Sequence, residues 1–418
     1  TDSPHNTAPQ SPTTPVGGSS VHGITYPRGF RAAGGTCGIK ASGKPDLVLI
    51  VADHACAAAG MFTSSKVPGA PVIVSRKHVR SGKCRAIVVN SGCSNVATGK
   101  RGEKDALAMC KEVGKQVGCK ASDVLVCSTG VIGHFLPMDK IIPGIGTLAA
   151  QLSEGATTDS EVAQAILTTD LVKKTSYRSL KVAGKEVRIA GIAKGSGMIQ
   201  PNMATMLVFI TTDVKISSTL LRASLKQAVT ASFNRLSVDH DTSTSDSIMV
   251  LASGEAGNRK ITTRGKAFNV FTKALTEVCG ELAYQVVKDG EGATKVFRVK
   301  ITGAKSMKDA DKVGYAITGS PLVKTAVHGA DPNWGRLAMA VGRSGAAVKP
   351  EKLTISIGGH TVFKRGVNAN APLAPLEQHM KGTEILFEID LGLGKHAAEW
   401  LGCDLSREYI TINADYTT

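Results

Sequence analysis

Residues Lys194–Asp213 read KGSGMIQPNMATMLVFITTD. The first half is a polar approach broken by Gly195 and Gly197, and Met206 to Ile210 is an unbroken apolar run. A short apolar run bounded by polar residues reads as a buried strand. Thr205 then stands at the first position of a core strand, held rigidly, with a flexible loop leading into it. Two readings are open. Thr205 is a strand-edge residue without chemistry, or it is a nucleophile that becomes a new N-terminus when the Ala204–Thr205 bond breaks. An N-terminal threonine brings its own base, because its free α-amine takes the hydroxyl proton.

Around this stretch, short strand patterns alternate irregularly with helical ones. DLVLIVAD, PVIVSR and RAIVVNSG read as early strands, and GEKDALAMCKEVGKQVGC as a helix with Leu107, Cys110, Val113 and Val117 at helical spacing. DVLVCSTG is a strand ending in a Ser-Thr-Gly turn, SEVAQAILTTD a helix, and SLKVAGKEVRIAGIA a hairpin turning at Ala-Gly. Further on, SSTLLRASLKQAVTASFNRLS and GKAFNVFTKALTEVCGELAYQVVKDG are helices flanking the strand SDSIMVLAS. TKVFRVKITGA, KLTISIGG, EILFEIDLG and EYITINADY read as C-terminal strands, and WGRLAMAVGR as a short helix. This mixture predicts an α+β fold, an α/β layered sandwich of mixed sheets packed with helices. KDGEGATK is a polar, glycine-bearing break near residue 290.

The 418 residues are enough for two or more sizeable cores. Hydrophobic content of 42% and a mean hydropathy of +0.02 describe a globular protein. No apolar run approaches the ~18 residues of a membrane span. The net charge of +16 is spread thinly, which suits small anionic substrates. A basic nucleic-acid-binding protein is the rival from another class. Aromatic residues at 4% offer few stacking platforms, and no binding motif is present. The nine cysteines form no CxxC pair and several lie in apolar runs, so buried reduced thiols are expected and a metal site is not. The opening TDSPHNTAPQSPTTPVGGSS lacks an apolar signal core and has the composition of a disordered tail.

Six segments carry polar chemistry. In DVLVCSTGVIG, Thr129 offers a hydroxyl and Gly130 an unobstructed backbone N–H, a donor pair suited to an oxyanion. The tripeptide alone is also a plain strand corner. Lys194 is placed to fix a substrate carboxylate, or is a solvated loop lysine. Glu291, between two glycines, either meets a substrate ammonium or marks a turn. Asp239, Asp241 and Asp246, with His240, miss calcium-loop spacing, and the aspartates read as hydrogen-bonded loop carboxylates. His328, Asp331, Asn333 and Arg336 read as a polar loop capping the helix of Trp334. Asn413 and Thr418, at a chain end expected to dock, line a site or form an edge strand.

In this order and spacing the segments resemble the ornithine acetyltransferases of arginine biosynthesis, also called glutamate N-acetyltransferases. The likeness runs from about Val21 to Thr418 through FTSSKVPGAPV, NSGCSN, CSTGVIG, AILTTD, GIAKGSGMIQPNMATML, SVDHDTSTSD, DGEGATK, HGADPNWGR and NADYTT. It implies self-cleavage between Ala204 and Thr205, Thr205 as nucleophile, and Thr129 and Gly130 as the oxyanion pair. It implies substrate contacts from Thr168, Lys194, Thr205, Glu291, Asn413 and Thr418. The implied parts are a tail over 1–20, a region 21–204 ending at the cleavage site, a stretch 205–290 completing the catalytic core, and a C-terminal α/β part over 291–418. The implied reaction moves an acetyl group from N-acetylornithine to glutamate without a cofactor, with acetyl-CoA left open as a further donor. Two copies of each chain are the implied assembly, with neither nucleic acid nor membrane as partner, and the compartment is the cytoplasm, or the mitochondrial matrix or plastid stroma in a eukaryote. The alternatives are a related self-processing amidase or aminopeptidase, or an acyltransferase paralogue with other substrates. The family usually carries NSGNAN where this chain has Cys93 and Ser94, Gly where His240 stands, and Asn at Ser245.

Overall fold

The computed structural model describes residues 22–200 and 206–415. Among these, the first sheet has eight strands. They are β1 (Phe30–Gly35), β2 (Leu47–Phe62), β3 (Lys83–Cys93), β4 (Val124–Val131), β5 (Lys174–Val182), β6 (Lys185–Lys194), β7 (Leu207–Thr212) and, past the two-residue β8 (Leu236–Ser237), β9 (Ser247–Ala252). The order is β4-β3-β2-β9-β7-β6-β5, with β1 paired to β2.

Strand β2 decides the layering. Its first part pairs with β1 and β3, and Ala57–Phe62 pair with β9. Between the two, the register slips after Val51 and Asp53, His54 and Ala55 are exposed. A bulge of this kind bends a strand. The two wings of the sheet then share one apolar core, in which Ile50, Ile87 and Leu125 join Phe209, Met249 and Leu251. Side chains alternate accordingly along β7: Leu207 and Phe209 enter that middle core, while Val208 and Ile210 face helices on the outside.

Helices α1 (Ala70–His78), α2 (Gly99–Val117) and α3 (Met138–Ala150) cover the outer face of β1–β4 through Met109, Val113 and Ile145. Helix α4 (Ala156–Ala165) adds Val162 and Ala163 to the middle core. Helices α5 (Ser218–Ala231) and α6 (Lys266–Lys288) cover the other wing with Leu221, Leu225, Phe271 and Leu282. The result is a helix–sheet–sheet–helix sandwich.

The C-terminal half builds a second sheet from β10 (Val296–Ala304), β11 (Thr354–Ile357), β12 (His360–Lys364), β13 (Val367–Asn368), β14 (Glu384–Asp390) and β15 (His396–Cys403), ordered β13-β12-β11-β14-β10-β15-β8. Helices α7 (Met307–Thr318), α8 (Pro321–His328), α9 (Trp334–Gly342) and α10 (Leu373–Met380) pack on it through Val313, Val327, Leu337 and Leu376. Strand β8 pairs in parallel with β15, so the segment after α5 is stitched into the second sheet. Helix α11 (Arg407–Asp415) closes the described chain.

Most expected elements occur. The Ala183–Gly184 turn joins β5 to β6 with both residues at positive φ, as a two-residue hairpin requires. Asn333 caps α9 by accepting from the Arg336 N–H at 3.2 Å.

Three local readings are corrected. PVIVSR is helical, part of α1, not a strand. Pro71 lies in the first turn, where its missing N–H is no loss. Ser75 then pins the helix to β4 by exchanging hydrogen bonds with the Val126 main chain at 2.7 Å each way. Within EYITINADY, residues 408–415 are likewise helical, in α11: the Ser406 hydroxyl accepts from Tyr409 N–H at 3.3 Å, an N-cap that outweighs the β-branched run. Thr129 and Gly130 lie within β4 and not in a turn after it.

Candidate active site

Antiparallel β6–β7 pairing sets Lys194 opposite Leu207, and parallel β7–β9 pairing sets Leu207 beside Ser247. Three strand ends therefore converge, carrying Lys194, Met206 and Asp246. Across the middle core, Thr129 arrives from β4. Thr129, Lys194, Met206, Leu207, Ser245 and Asp246 line a narrow cleft.

Lys194 and Thr129 are both buried, and the Lys194 ammonium donates to Thr129 Oγ1 at 3.2 Å. The Thr129 oxygen being the acceptor, its own hydrogen is free to donate elsewhere. Next to it, Gly130 has a φ of +128°, and a Cβ there would stand 2.3 Å from the Gly92 carbonyl carbon. Only glycine fits so close a crossing between β3 and β4. Asn90 stiffens it: its amide donates to Cys93 O at 2.8 Å, and its oxygen accepts from Ser128 Oγ at 2.5 Å.

Lys194 leads a string of contacts into the glycine loop. Asp170 accepts from the Gly195 N–H at 2.7 Å and from the Thr168 N–H at 3.1 Å, which holds the Thr168 loop against residues 194–195. Lys174 bridges Asp170 at 2.7 Å and Asp289 at 2.5 Å, with all three side chains buried. Glu291 N–H donates to Ser196 O at 2.9 Å. The Glu291 carboxylate packs where Gly197 has no side chain; a Cβ there would be 2.3 Å from its Oε2. From α11, the Asn413 amide donates to Glu291 Oε2 at 2.9 Å. Thr129, Gly130, Thr168, Lys194, Glu291 and Asn413 thus belong to one connected region. Ala204, Thr205 and Thr418 lie outside the described residues.

The electrostatics follow from burial. Loss of water pushes the Lys194 ammonium pKa down and Lys174 adds to this, while Asp170, Glu291 and Asp246 pull it back up, leaving it lowered. Burial works to raise Asp170, but Lys194 and Lys174 together with its hydrogen bonds outweigh it and hold the carboxyl at about 2. Asp246 goes the other way: burial lifts it well above the usual carboxylate range against the pull of the Met206 N–H and Lys194.

Asp239 and Asp246 are hydrogen-bonded, as expected of loop carboxylates. Asp239 accepts from Met198 N–H at 2.5 Å and Ile199 N–H at 2.7 Å, shaping the chain on its way to residue 204. His240 takes a φ of +71°, a backbone state that glycine adopts without strain. Its ring is held by Gln200 at 3.1 Å and against Tyr315 at a centroid distance of 4.8 Å. Cys93 is buried and donates to His134 O at 3.4 Å.

Sequence reasoning missed the supports of this site. Lys40 donates to Leu167 O and Pro45 O at 2.7 Å each, tying its loop to the segment before Thr168. Burial lowers its pKa to about 8. Asp170 and Asp289 lie in segments read as a helix end and a break, Lys174 lies in a stretch given no reading, and only their burial together in three dimensions marks them.

Among the described residues no helix is long and apolar enough to cross a membrane. A model of the ArgJ family matches residues 31–418. The arginine biosynthesis bifunctional protein ArgJ of Dehalococcoides mccartyi is 43% identical, over 94% of this chain and 97% of that protein. The protein of the same name from Deinococcus radiodurans is 46% identical, over 94% and 98%. The crystal structure of the arginine biosynthesis bifunctional protein argJ of Bacillus halodurans aligns with 49% of this chain and 97% of its own, at 38% identity and a TM-score of 0.48. With the likeness running through nearly the whole chain, cleft and glycine loop included, the chain belongs to the ArgJ family of arginine-biosynthesis proteins.

Proposed function

We propose that this acyltransferase moves the acetyl group of N2-acetyl-L-ornithine to L-glutamate through an acetyl ester on Thr205, giving L-ornithine and N-acetyl-L-glutamate. The observation that carries this reading is the convergence of Thr129 and Lys194 on the cleft at Met206, the residue that follows Thr205.

The chain first cuts itself: the Thr205 hydroxyl attacks the Ala204 carbonyl, and water hydrolyses the resulting ester, leaving residues 1–204 and 205–418. The freed α-amine of Thr205 then takes the hydroxyl proton as the oxygen attacks the acetyl carbonyl. Negative charge grows on the carbonyl oxygen, where the Thr129 hydroxyl and the Gly130 N–H donate. Loss of one such donor costs ~3 kcal/mol of transition-state stabilisation. The proton passes from the Thr205 amine to the departing ornithine amine, and the tetrahedral centre collapses to the acetyl ester. Glutamate's neutral amine attacks that ester, and Thr205 leaves with the proton restored.

Lys194 grips the carboxylate common to donor and acceptor. Glu291, steadied by Asn413, meets an ammonium group, and Thr168 and Thr418 complete the substrate contacts. No cofactor enters these steps, and acetyl-CoA is a candidate second donor. Two copies of each chain form the proposed assembly, in the cytoplasm.

Wild-type protein mixed with N-acetylornithine alone and quenched is expected to gain one acetyl mass on the chain led by Thr205. Thr205→Ala is expected to remain a single band on a denaturing gel and to transfer nothing, while Thr205→Ser keeps part of both activities. Robust transfer by the alanine variant would end the nucleophile assignment. Free acetate in place of N-acetylglutamate, with glutamate present, would favour a hydrolase.

A further inference from the structure

The described residues at the cleft include one acidic group with no part in the steps above. Asp246 immediately precedes β9 and is fully buried. Its Oδ1 accepts from the Met206 N–H at 2.8 Å. The next residue, Ser247, donates its N–H to Met206 O at 3.1 Å. Met206 is thereby clamped at both its amide and its carbonyl, and its amide nitrogen is covalently joined to residue 205. The second oxygen, Oδ2, is buried and has no hydrogen-bond partner among the described residues. Asp246 lines the same cleft as Thr129 and Lys194.

A buried polar atom left without a partner is costly, so one in a native fold calls for an explanation. A structural clamp needs only Oδ1. Serine would supply an acceptor without burying a second, idle polar atom.

We propose that Asp246 is a positioning residue for acyl transfer: Oδ1 fixes the main chain that carries residue 205, and Oδ2 presents a hydrogen-bonding group to the cleft. The inference rests on the acetyl-ester reading above. Burial raises the pKa of this carboxyl and so favours its neutral form, against the pull of the Met206 N–H and of Lys194, the charged group beside it. In that form Oδ2 carries a hydrogen and acts as a donor. A neutral acid also leaves the α-amine of an N-terminal Thr205 free to act as a base, where a carboxylate would favour its protonated form.

The test compares Asp246→Asn with Asp246→Leu in the full chain. Asparagine keeps an acceptor for Met206 and a donor in place of O–H, while leucine keeps neither. Acetylation by N-acetylornithine alone is followed by quenched mass spectrometry, and kcat and KM are measured with glutamate, all normalised to the cleaved fraction on a denaturing gel. Expected is a fall in kcat of about a hundredfold or more for Asp246→Leu, the cost of one lost donor at a reacting centre, with KM little changed. Asp246→Asn is expected to lose roughly tenfold or less. Loss of self-cleavage in a folded leucine variant, with cleavage retained by asparagine, supports the same conclusion. Asp246→Ala, which leaves space instead of filling it, serves if the leucine chain does not fold. An Asp246→Leu or Asp246→Ala enzyme acetylated at the wild-type rate overturns this inference alone. A folded Asp246→Asn as inactive as the truncations overturns the neutral-donor role. Wild-type protein that takes no acetyl group at all removes the ester reading, and this inference with it.

Discussion

Replacing Lys174 by methionine tests the electrostatic frame of the site. The Lys174 ammonium stands 2.7 Å from Asp170 and 2.5 Å from Asp289, with side-chain exposures of 0%, 0% and 6% respectively. Methionine nearly conserves volume, so the loss is ionic and leaves no cavity. Removing one partner of a buried pair costs ~3–5 kcal/mol, because the remaining charge has no compensation. The backbone donors at Asp170 and Asp289 soften this, which points to the lower end.

The pH dependence sharpens the test. In the folded chain Asp170 lies at about 2, against an ordinary 3.8. A depressed carboxyl stabilises the fold above its unfolded pKa, and that stability is lost as pH falls through the folded value. A shift of nearly two units is worth about 2 kcal/mol, present above pH ~4 and lost toward pH ~2. Without Lys174 the folded pKa of Asp170 rises, so the acid edge of the stability curve moves to higher pH. Urea unfolding followed by circular dichroism between pH 3 and pH 7 measures both effects. A loss under about 1 kcal/mol at neutral pH, with an unmoved acid edge, would refute the argument that this buried triad carries net stability.

Two further substitutions probe the chemistry directly. Gly130→Ala forces a Cβ to within 2.3 Å of the Gly92 carbonyl carbon at a φ of +128°. Strain and overpacking together are expected to cost about 3 kcal/mol in thermal stability and to abolish acetyl transfer; a stable, active alanine variant would show that the β3–β4 crossing is not fixed. Glu291→Gln removes the charge offered to an ammonium group while leaving an oxygen for Asn413. KM for glutamate should rise about tenfold or more with the fold intact, as for loss of a charge-assisted hydrogen bond, and an unchanged KM sinks that role.

The same contrast between short-range and long-range forces explains what could be read in the chain itself. Strands β3, β4, β7 and β9 were legible because their apolar runs are continuous and bounded by polar turns. The β5–β6 hairpin was legible because Ala183–Gly184 is a turn by its own chemistry. Residues 71–76 and 408–415 misled because their β-branched residues argue for strand. A proline in the first helical turn and a serine cap decide otherwise, once Ser75 and Ser406 find main-chain partners far along the chain. The order and spacing of the polar motifs pointed to the family and to Thr129, Gly130, Thr168, Lys194, Glu291 and Asn413.

By itself, then, the sequence determined which segments alternate, which glycines break them, and which polar side chains stand at their ends. Only the tertiary structure decided how β2 folds one sheet into two layers, that Lys174 joins an aspartate 115 residues away, and that Asp246 lies against Met206 with one oxygen to spare. The physical reason is that burial sets the free energy of a charge. Burial is a property of the packed layers, not of neighbours in the chain, so the groups whose protonation and pairing shape the site emerge only when the wings of the sheet close over them.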